Sequence, residues 1–130
     1  MKKITLLLVI IFTFLFSTTS WGDWTYLVKS TYGDKFYYDK NRVRKHRKDL
    51  YVWILSDYLK PISGEYFSYI EYLQLDCSIS RYKSLKEITY KKSMGEGEMT
   101  SDFTPPNEWK YPKPESISEF VSNKVCKEHQ

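Results

Sequence analysis

The strongest constraint on this chain is a series of short segments, from Trp24 to about Ser101, in which aromatic and β-branched residues alternate with polar ones. Such alternation places every second side chain on one face and is typical of β-strands. Segments 24–28 and 35–39 are predicted to form a hairpin around a turn at 32–34. Segment 50–55 is apolar on both faces, so we predict a central strand that is covered on both sides.

Further strands are predicted downstream. Pro61 and Gly64 mark a loop, after which segment 65–78 forms a long strand. A more polar strand at 84–91 is expected nearer an edge, and the glycines at 95 and 97 supply the next turn. One face of the long strand is predicted to carry Phe67, Tyr69, Leu73, Leu75 and Cys77.

The first 22 residues have the three regions of a secretory signal peptide. Lys2 and Lys3 precede an apolar run at 4–16, and small polar residues follow at 17–20. Cleavage is predicted after Gly22, with Ser20 as the alternative, and an uncleaved anchor is disfavoured because the run is shorter than the roughly 20 residues of a membrane span. No cysteine lies near either cut, so we expect an exported protein, periplasmic or secreted, that is not a lipoprotein.

Residues 23–130 are predicted to form a single domain. Removing 22 residues from 130 leaves 108, about one ordinary domain. The loss of Lys2 and Lys3 lowers the formal charge from +4 to +2, so bulk charge gives no argument for a nucleic-acid partner.

The two cysteines, Cys77 and Cys126, are predicted to form a disulfide because an exported chain matures in an oxidising compartment. A metal site is a poor alternative, since two cysteines and two distant histidines lack ligand spacing. We expect no metal and no cofactor.

The C-terminal region is predicted to end in one helix. Four prolines between residues 104 and 114 indicate an irregular arm around Trp109. Ser116 and Glu119 then form a capping box that begins a short helix, and Cys126 lies at its end. One stripe of this helix carries Ile117, Phe120, Val121 and Val125.

Single residues spread along the mature chain resemble the surface-adhesin protein E family. In order they are Trp24, Tyr37-Tyr38-Asp39, Val52-Trp53, Asp57-Tyr58, Asp76-Cys77, Arg81, Tyr90, Gly95, Gly97, Trp109, Pro114, Ser116 and Val125-Cys126. The resemblance implies an α+β fold, an antiparallel sheet of about six strands with a C-terminal helix held to its concave face by the disulfide. It also implies binding to host matrix and serum proteins and dimerisation. The adhesin that names the family is a surface lipoprotein, and the missing lipidation cysteine here weakens the inference of surface display.

The densest charged segment is residues 40–48, between two predicted strands. Arginine presents a bidentate fork to anionic groups and lysine a point charge, so this turn is a candidate site for an acidic protein, glycan or lipid surface. The alternative is a solvated loop whose charges keep a sheet edge soluble. The candidate ligand-binding residues are Lys40, Arg42, Arg44, Lys45, Arg47 and Lys48, with His46 among them as a less favoured pH sensor.

We predict no catalytic residues and no nucleic-acid partner. The only histidines are His46 and His129, and neither has a recognisable nucleophile nearby in sequence. The carboxylate pairs Glu65 with Glu71, and Asp76 with Glu87, are better interpreted as exposed strand residues.

The tyrosines are better interpreted as strand formers than as base-stacking residues. Trp53 is predicted to be buried, and Trp109 to be partly exposed. The preferred function is therefore an exported, non-enzymatic binding protein that acts through the basic turn, with a homodimer as one expected state. The alternative is a structural or accessory envelope protein whose partner meets the sheet.

Overall fold

The computed structural model describes residues 23–130, so the predicted signal peptide at 1–22 lies outside the described residues. Seven antiparallel strands form one sheet in the order β1-β2-β4-β5-β6-β7, and β3 pairs with β4 beside this path. One helix, α1, spans Ile117–His129. The strands are β1 (Thr25–Lys29), β2 (Lys35–Tyr38), β3 (Arg44–His46), β4 (Asp49–Ile62), β5 (Tyr66–Asp76), β6 (Arg81–Tyr90) and β7 (Met99–Phe103).

This architecture confirms the predicted fold class. Two strands, β3 and β7, were not predicted from the alternation of apolar and polar residues. Strand β3 lies inside the basic segment that was predicted as a loop, and its three residues are all exposed. Strand β7 is also exposed at all five positions and forms the edge beyond β6. Neither strand buries an apolar side, so neither produces the alternating pattern on which sequence-based prediction depends.

Strand β4 is longer than predicted, because it continues through Pro61 to Ile62. The pairing with β5 shifts register between Asp57 and Ile62. A proline lacks the N–H that a regular ladder requires, and an irregularity of this kind accommodates it. The predicted loop therefore begins only after Ile62, at Ser63 and Gly64, both of which have positive φ.

The two faces of the sheet bury different clusters. Leu50, Val52 and Ile54 lie on the face that packs against Val121 and Val125 of α1, which confirms the predicted alternation of β4. On the opposite face, Leu55 packs in a separate cluster that is completed by Ile70, Ile88 and Tyr90. Trp53 lies on this second face and is only partly buried, so its predicted full burial is wrong.

Helix α1 begins as its sequence predicts. The Ser116 hydroxyl accepts a hydrogen bond from the Glu119 amide (3.2 Å), and the Glu119 carboxylate accepts one from the Glu115 amide (3.2 Å). Val121 and Val125 are buried, whereas Phe120 is 45% exposed and does not belong to the buried stripe.

Two attachments fix the C-terminal segment to the sheet. The disulfide joins Cys77 to Cys126 with a Cα–Cα distance of 5.8 Å, as predicted. The proline-rich arm pairs with β6 through Lys110, whose amide donates to the Tyr82 carbonyl (2.8 Å) and whose carbonyl accepts from the Tyr82 amide (2.9 Å). Trp109 is partly exposed, as expected, and lies beneath the cationic groups of Arg81 (4.1 Å) and Lys83 (4.5 Å).

We predict that the double substitution Cys77→Ala and Cys126→Ala lowers the free energy of unfolding by about 4 kcal/mol. The two cysteines are 49 residues apart, and without the disulfide the loop between them is no longer closed in the unfolded chain. Urea unfolding followed by circular dichroism measures the change. Dithiothreitol should destabilise the unsubstituted protein and leave the double variant unaffected. Equal stability of the two proteins would contradict a stabilising role for the disulfide.

Candidate functional site

The candidate residues lie in a basic hairpin, which we define as residues 40–48. The chain makes a 3₁₀ turn at Lys40–Arg42, extends as β3 and then reverses into β4. Arg47 has a positive φ of 57° within the reversal. The three residues of β3 pair in register with the first three of β4, from Arg44 opposite Tyr51 to His46 opposite Asp49. The hairpin is therefore a backbone-paired extension of the sheet rather than a free loop.

Two of the six predicted binding cations are engaged in ion pairs with buried carboxylates. Arg42 lies 2.5 Å from Asp39, and Lys48 lies 3.3 Å from Asp76. Both aspartates are 1% exposed. A buried carboxylate without a cation is costly, so these two pairs hold the hairpin at its two ends.

Asp76 is the more extensively paired of the two carboxylates. Its oxygens accept hydrogen bonds from the Ser78 hydroxyl (2.6 Å), from Arg81 Nε (3.0 Å) and from Lys48 Nζ (3.3 Å). The bond from Ser78 and the two cationic donors together outweigh burial and hold the pKa of Asp76 well below its usual value. Asp76 is therefore ionised in the folded protein at neutral pH.

The other four cations, Lys40, Arg44, Lys45 and Arg47, are exposed and form no ion pair within residues 23–130. Cross-strand partners share a face, so Arg44 lies on the face of Tyr51 and Lys45 on the face of Leu50. The cations thus extend to both faces of the sheet edge.

A second titratable group lies on the helix side of the sheet, beside the start of α1. Glu71 lies directly opposite Glu87, and the Tyr69 hydroxyl donates to Glu71 (3.1 Å). Burial raises the pKa of Glu71, and Glu87 adds to the increase, although hydrogen bonds from Ser84 and Tyr69 oppose it. Glu71 also contributes to the lining of a cavity of about 80 Å³ between α1 and the sheet.

The two carboxylate pairs that the sequence analysis disfavoured do not form, but its interpretation of all four residues as exposed is wrong for Asp76, which is buried. Glu71 faces Glu87 rather than Glu65, and Asp76 is paired with cations rather than with Glu87. The alternation of β5 places Glu71 on the helix side, but its partner depends on the register with β6, which shifts between Tyr72 and Leu73. No sequence signal reveals that shift.

The described residues contain neither a metal site nor a membrane-spanning helix. Across residues 23–130, no group of three or more histidine, cysteine, aspartate or glutamate side chains is arranged to hold a metal ion. In the same part of the chain, no helix has the length and apolar character needed to cross a membrane.

Comparison with solved structures identifies the class of fold. Crystal form II of Haemophilus influenzae protein E superposes with a TM-score of 0.64 at 14% identity, covering 86% of this chain and 93% of that one. Another structure of Haemophilus influenzae protein E gives a TM-score of 0.62 at 14% identity, covering 86% and 89% of the respective chains. At this identity the likeness establishes the fold: a single antiparallel sheet with one C-terminal helix.

The sequence itself identifies the family. The family model for surface-adhesin protein E matches residues 24–127. The chain therefore belongs to the surface-adhesin protein E family, which confirms the resemblance noted from its residues, and this family suggests a non-enzymatic protein. No curated protein sequence gives a significant match.

We predict that Asp76→Asn lowers the free energy of unfolding at pH 7 by about 3 kcal/mol, because charge-assisted hydrogen bonds to a buried carboxylate are lost. The folded-state pKa lies below the ordinary value of 3.8, so this stabilisation is complete above that pH and is lost as the pH falls below it. Urea titrations from pH 7 to pH 2 should show the difference between the two proteins shrinking only below about pH 4. A difference that stays constant down to pH 2 would contradict this assignment.

We predict the opposite sign for Glu71→Gln, which should raise the thermal midpoint at pH 7. The folded-state pKa of Glu71 is above 4.5, so its ionisation destabilises the folded protein as the pH rises through that value. The gain should shrink as the pH falls through 4.5 and should disappear at about pH 3, where the carboxyl group is protonated in both states. Glu65→Gln, at an exposed position, is the matched control and should change the midpoint little at either pH. A lower midpoint for Glu71→Gln at pH 7 would refute the prediction.

Proposed function

We propose that the chain is an exported, non-enzymatic binding protein that attaches to anionic surfaces through its basic hairpin. The partner would be an acidic region of a host matrix or serum protein, or an anionic glycan or lipid. Membership of a family named for surface adhesion supports the adhesive role. The predicted signal peptide supports export to the periplasm or beyond, and the absence of a cysteine near the predicted cleavage site supports a non-lipidated product.

The observation that carries this proposal is the way the hairpin is anchored. The ion pairs of Arg42 with Asp39 and Lys48 with Asp76 fix both ends of the hairpin against buried carboxylates. Lys40, Arg44, Lys45 and Arg47 are exposed and lie between or beside these two ion pairs. The backbone that carries them is paired with β4 through β3. Because the support is rigid, less conformational entropy is lost when a partner binds.

The anchoring also revises the roles of the six candidate residues. Arg42 and Lys48 act in this proposal mainly as supports, and the contact falls to Lys40, Arg44, Lys45 and Arg47. Exposed charges of this kind attract an anionic partner over roughly a Debye length, about 8 Å at physiological ionic strength, so the attachment should weaken as salt increases.

The second candidate is a structural or accessory envelope protein that acts through its sheet. Edge strand β7 favours this candidate. Its Met99 is 48% exposed and its Phe103 is 53% exposed. The backbone groups on its outer side pair with no further strand among residues 23–130. Such an edge accepts a strand from a partner or from a second copy of the chain. A homodimer is therefore compatible with either candidate.

We predict that the triple charge reversal Arg44→Glu, Lys45→Glu and Arg47→Glu lowers affinity for heparin and for vesicles of anionic lipid by about a hundredfold or more at low salt. The unsubstituted protein should lose affinity steeply between low and physiological salt. Surface plasmon resonance on immobilised heparin, and vesicle co-sedimentation, measure both effects.

The matched control is Lys29→Glu, Lys60→Glu and Lys113→Glu, which changes the net charge equally at exposed positions outside the hairpin. This variant should retain most of the binding. Unchanged binding of the hairpin variant to heparin, anionic vesicles and matrix proteins would refute the proposal. A salt-insensitive dimer in light scattering, combined with unchanged binding, would favour the second candidate.

A further inference from the structure

The face of the sheet opposite α1 carries an aromatic cluster that continues directly from the basic hairpin. Tyr51 and Trp53 of β4 and Tyr72 of β5 lie side by side on this face and are all partly buried. The Trp53 and Tyr72 rings are stacked, with centroids 4.5 Å apart, and the Tyr51 and Tyr72 rings are tilted with centroids 6.2 Å apart. We name these three residues the aromatic platform.

Cations border the platform at both ends of one row. Cross-strand pairing aligns Arg44, Tyr51, Gln74 and Lys83 across four neighbouring strands. At strand spacings of about 4.8 Å, this row spans about 14 Å. Arg44 is exposed and forms no ion pair within residues 23–130. The Lys83 ammonium lies over the Trp109 ring and likewise has no carboxylate partner among these residues.

Two carboxylates near the platform have contacts of different kinds. Asp49 accepts a hydrogen bond from the Gln74 side chain (2.8 Å), and Asp102 is paired with Lys86 (2.6 Å). The Gln74 amide is neutral, so Asp49 keeps its negative charge. The three cations Arg44, Lys83 and Lys86 nevertheless outnumber the two carboxylates, so the excess charge at the rim is positive. A negatively charged partner would meet cations at both ends of the row, and the two residues of the row between them, Tyr51 and Gln74, are uncharged.

The ring geometry discriminates among anionic partners. Nucleobases and sugars bind aromatic residues through open ring faces, whereas here one face of Trp53 and one face of Tyr72 stack on each other. Side-by-side rings present edges, which carry the positive part of the aromatic quadrupole, together with phenolic hydroxyl donors. Ring edges, hydroxyl donors and rim cations all favour carboxylates.

The residue types also favour a protein partner. Tryptophan, tyrosine and arginine dominate binding hot spots between proteins, because they combine a large apolar area with polar groups. Tyrosine supplies this area with little loss of conformational freedom. We propose that the aromatic platform, bordered by Arg44 and Lys83, is a docking surface for an acidic peptide segment of a protein partner. The inference rests on the proposed binding function and adds the chemistry of the partner and the sheet face that it meets.

The test uses protein that is purified after expression of the full chain and labelled with ¹⁵N throughout and with ¹³C in its tyrosine rings. The probe is a synthetic peptide that alternates glutamate and leucine, and the matched peptide carries glutamine in place of glutamate. We expect saturable shifts of the Tyr51 and Tyr72 ring signals with the glutamate peptide, and affinity at least about tenfold weaker for the glutamine peptide. Ring signals that do not move, or that move equally with both peptides, would overturn the proposal.

Two further probes test the assignment of the partner class. A single-stranded oligonucleotide and a heparin oligosaccharide should shift hairpin amide signals more than the Tyr51 and Tyr72 rings. Either of them shifting those rings at lower concentration than the glutamate peptide would overturn the assignment to an acidic peptide. These measurements need no substitution in the platform, so they do not depend on whether a variant folds.

Substitution then separates the platform from the hairpin. Tyr72→Ala should weaken glutamate-peptide binding at least about tenfold, as expected for a hot-spot residue, while leaving vesicle binding unchanged. Tyr32→Ala, at a tyrosine that is 85% exposed in a different turn, is the control and should bind as the unsubstituted protein does. If Tyr72→Ala binds the peptide normally and the hairpin triple variant loses vesicle binding, the platform proposal fails and the hairpin proposal survives. If instead the hairpin triple variant binds vesicles as the unsubstituted protein does, while Tyr72→Ala loses peptide binding, the hairpin proposal fails and the platform proposal survives.

Discussion

Two neighbouring residues at the end of β5 connect the sheet to its other elements. Cys77 is bonded covalently to Cys126 and so holds α1 against the sheet. The adjacent Asp76 is buried and draws Lys48 of the basic hairpin and Arg81 of β6 to the same point. A short helix is marginal by itself, and a buried carboxylate is costly without cations, so each contact stabilises an element that could not persist alone. The helix, the hairpin and the start of β6 therefore converge on one end of one strand.

This arrangement gives the two faces of the sheet different roles. The helix covers the side of Leu50, Val52 and Ile54, which completes the main core and encloses the Glu71 carboxyl group at its margin. The opposite side has no helix over it among the described residues and buries a smaller cluster around Leu55 and Ile70. Partly buried aromatic rings continue that cluster toward the basic hairpin. We therefore expect a partner to contact the face of the sheet opposite α1, because α1, held by the disulfide, covers the other face.

Particular residues explain how far the sequence could predict this structure. The alternation of Leu50, Val52 and Ile54, and the Ser116 and Glu119 capping pair, identified a strand and a helix start correctly because these signals are local. Phe120 was misplaced because its exposure depends on how α1 rotates against the sheet, and Trp53 because full burial requires a second layer over it. Strands β3 and β7 were missed because edge strands with no buried side lack an apolar pattern. The role of Arg42 and Lys48 as anchors was missed because their carboxylate partners become buried only after the strands pair.

The sequence by itself determined the fold class, the C-terminal helix and the cysteine pair, and its residues pointed to the family. These features depend on local periodicity, on capping and on having only two cysteines to pair. Only the tertiary structure decided which cations are anchors and which remain exposed, that Glu71 faces Glu87, and that Tyr51, Trp53 and Tyr72 form one surface with Arg44 and Lys83 at its ends. Those relations depend on strand register and its shifts, and register is set by cross-strand pairing between residues far apart in the chain.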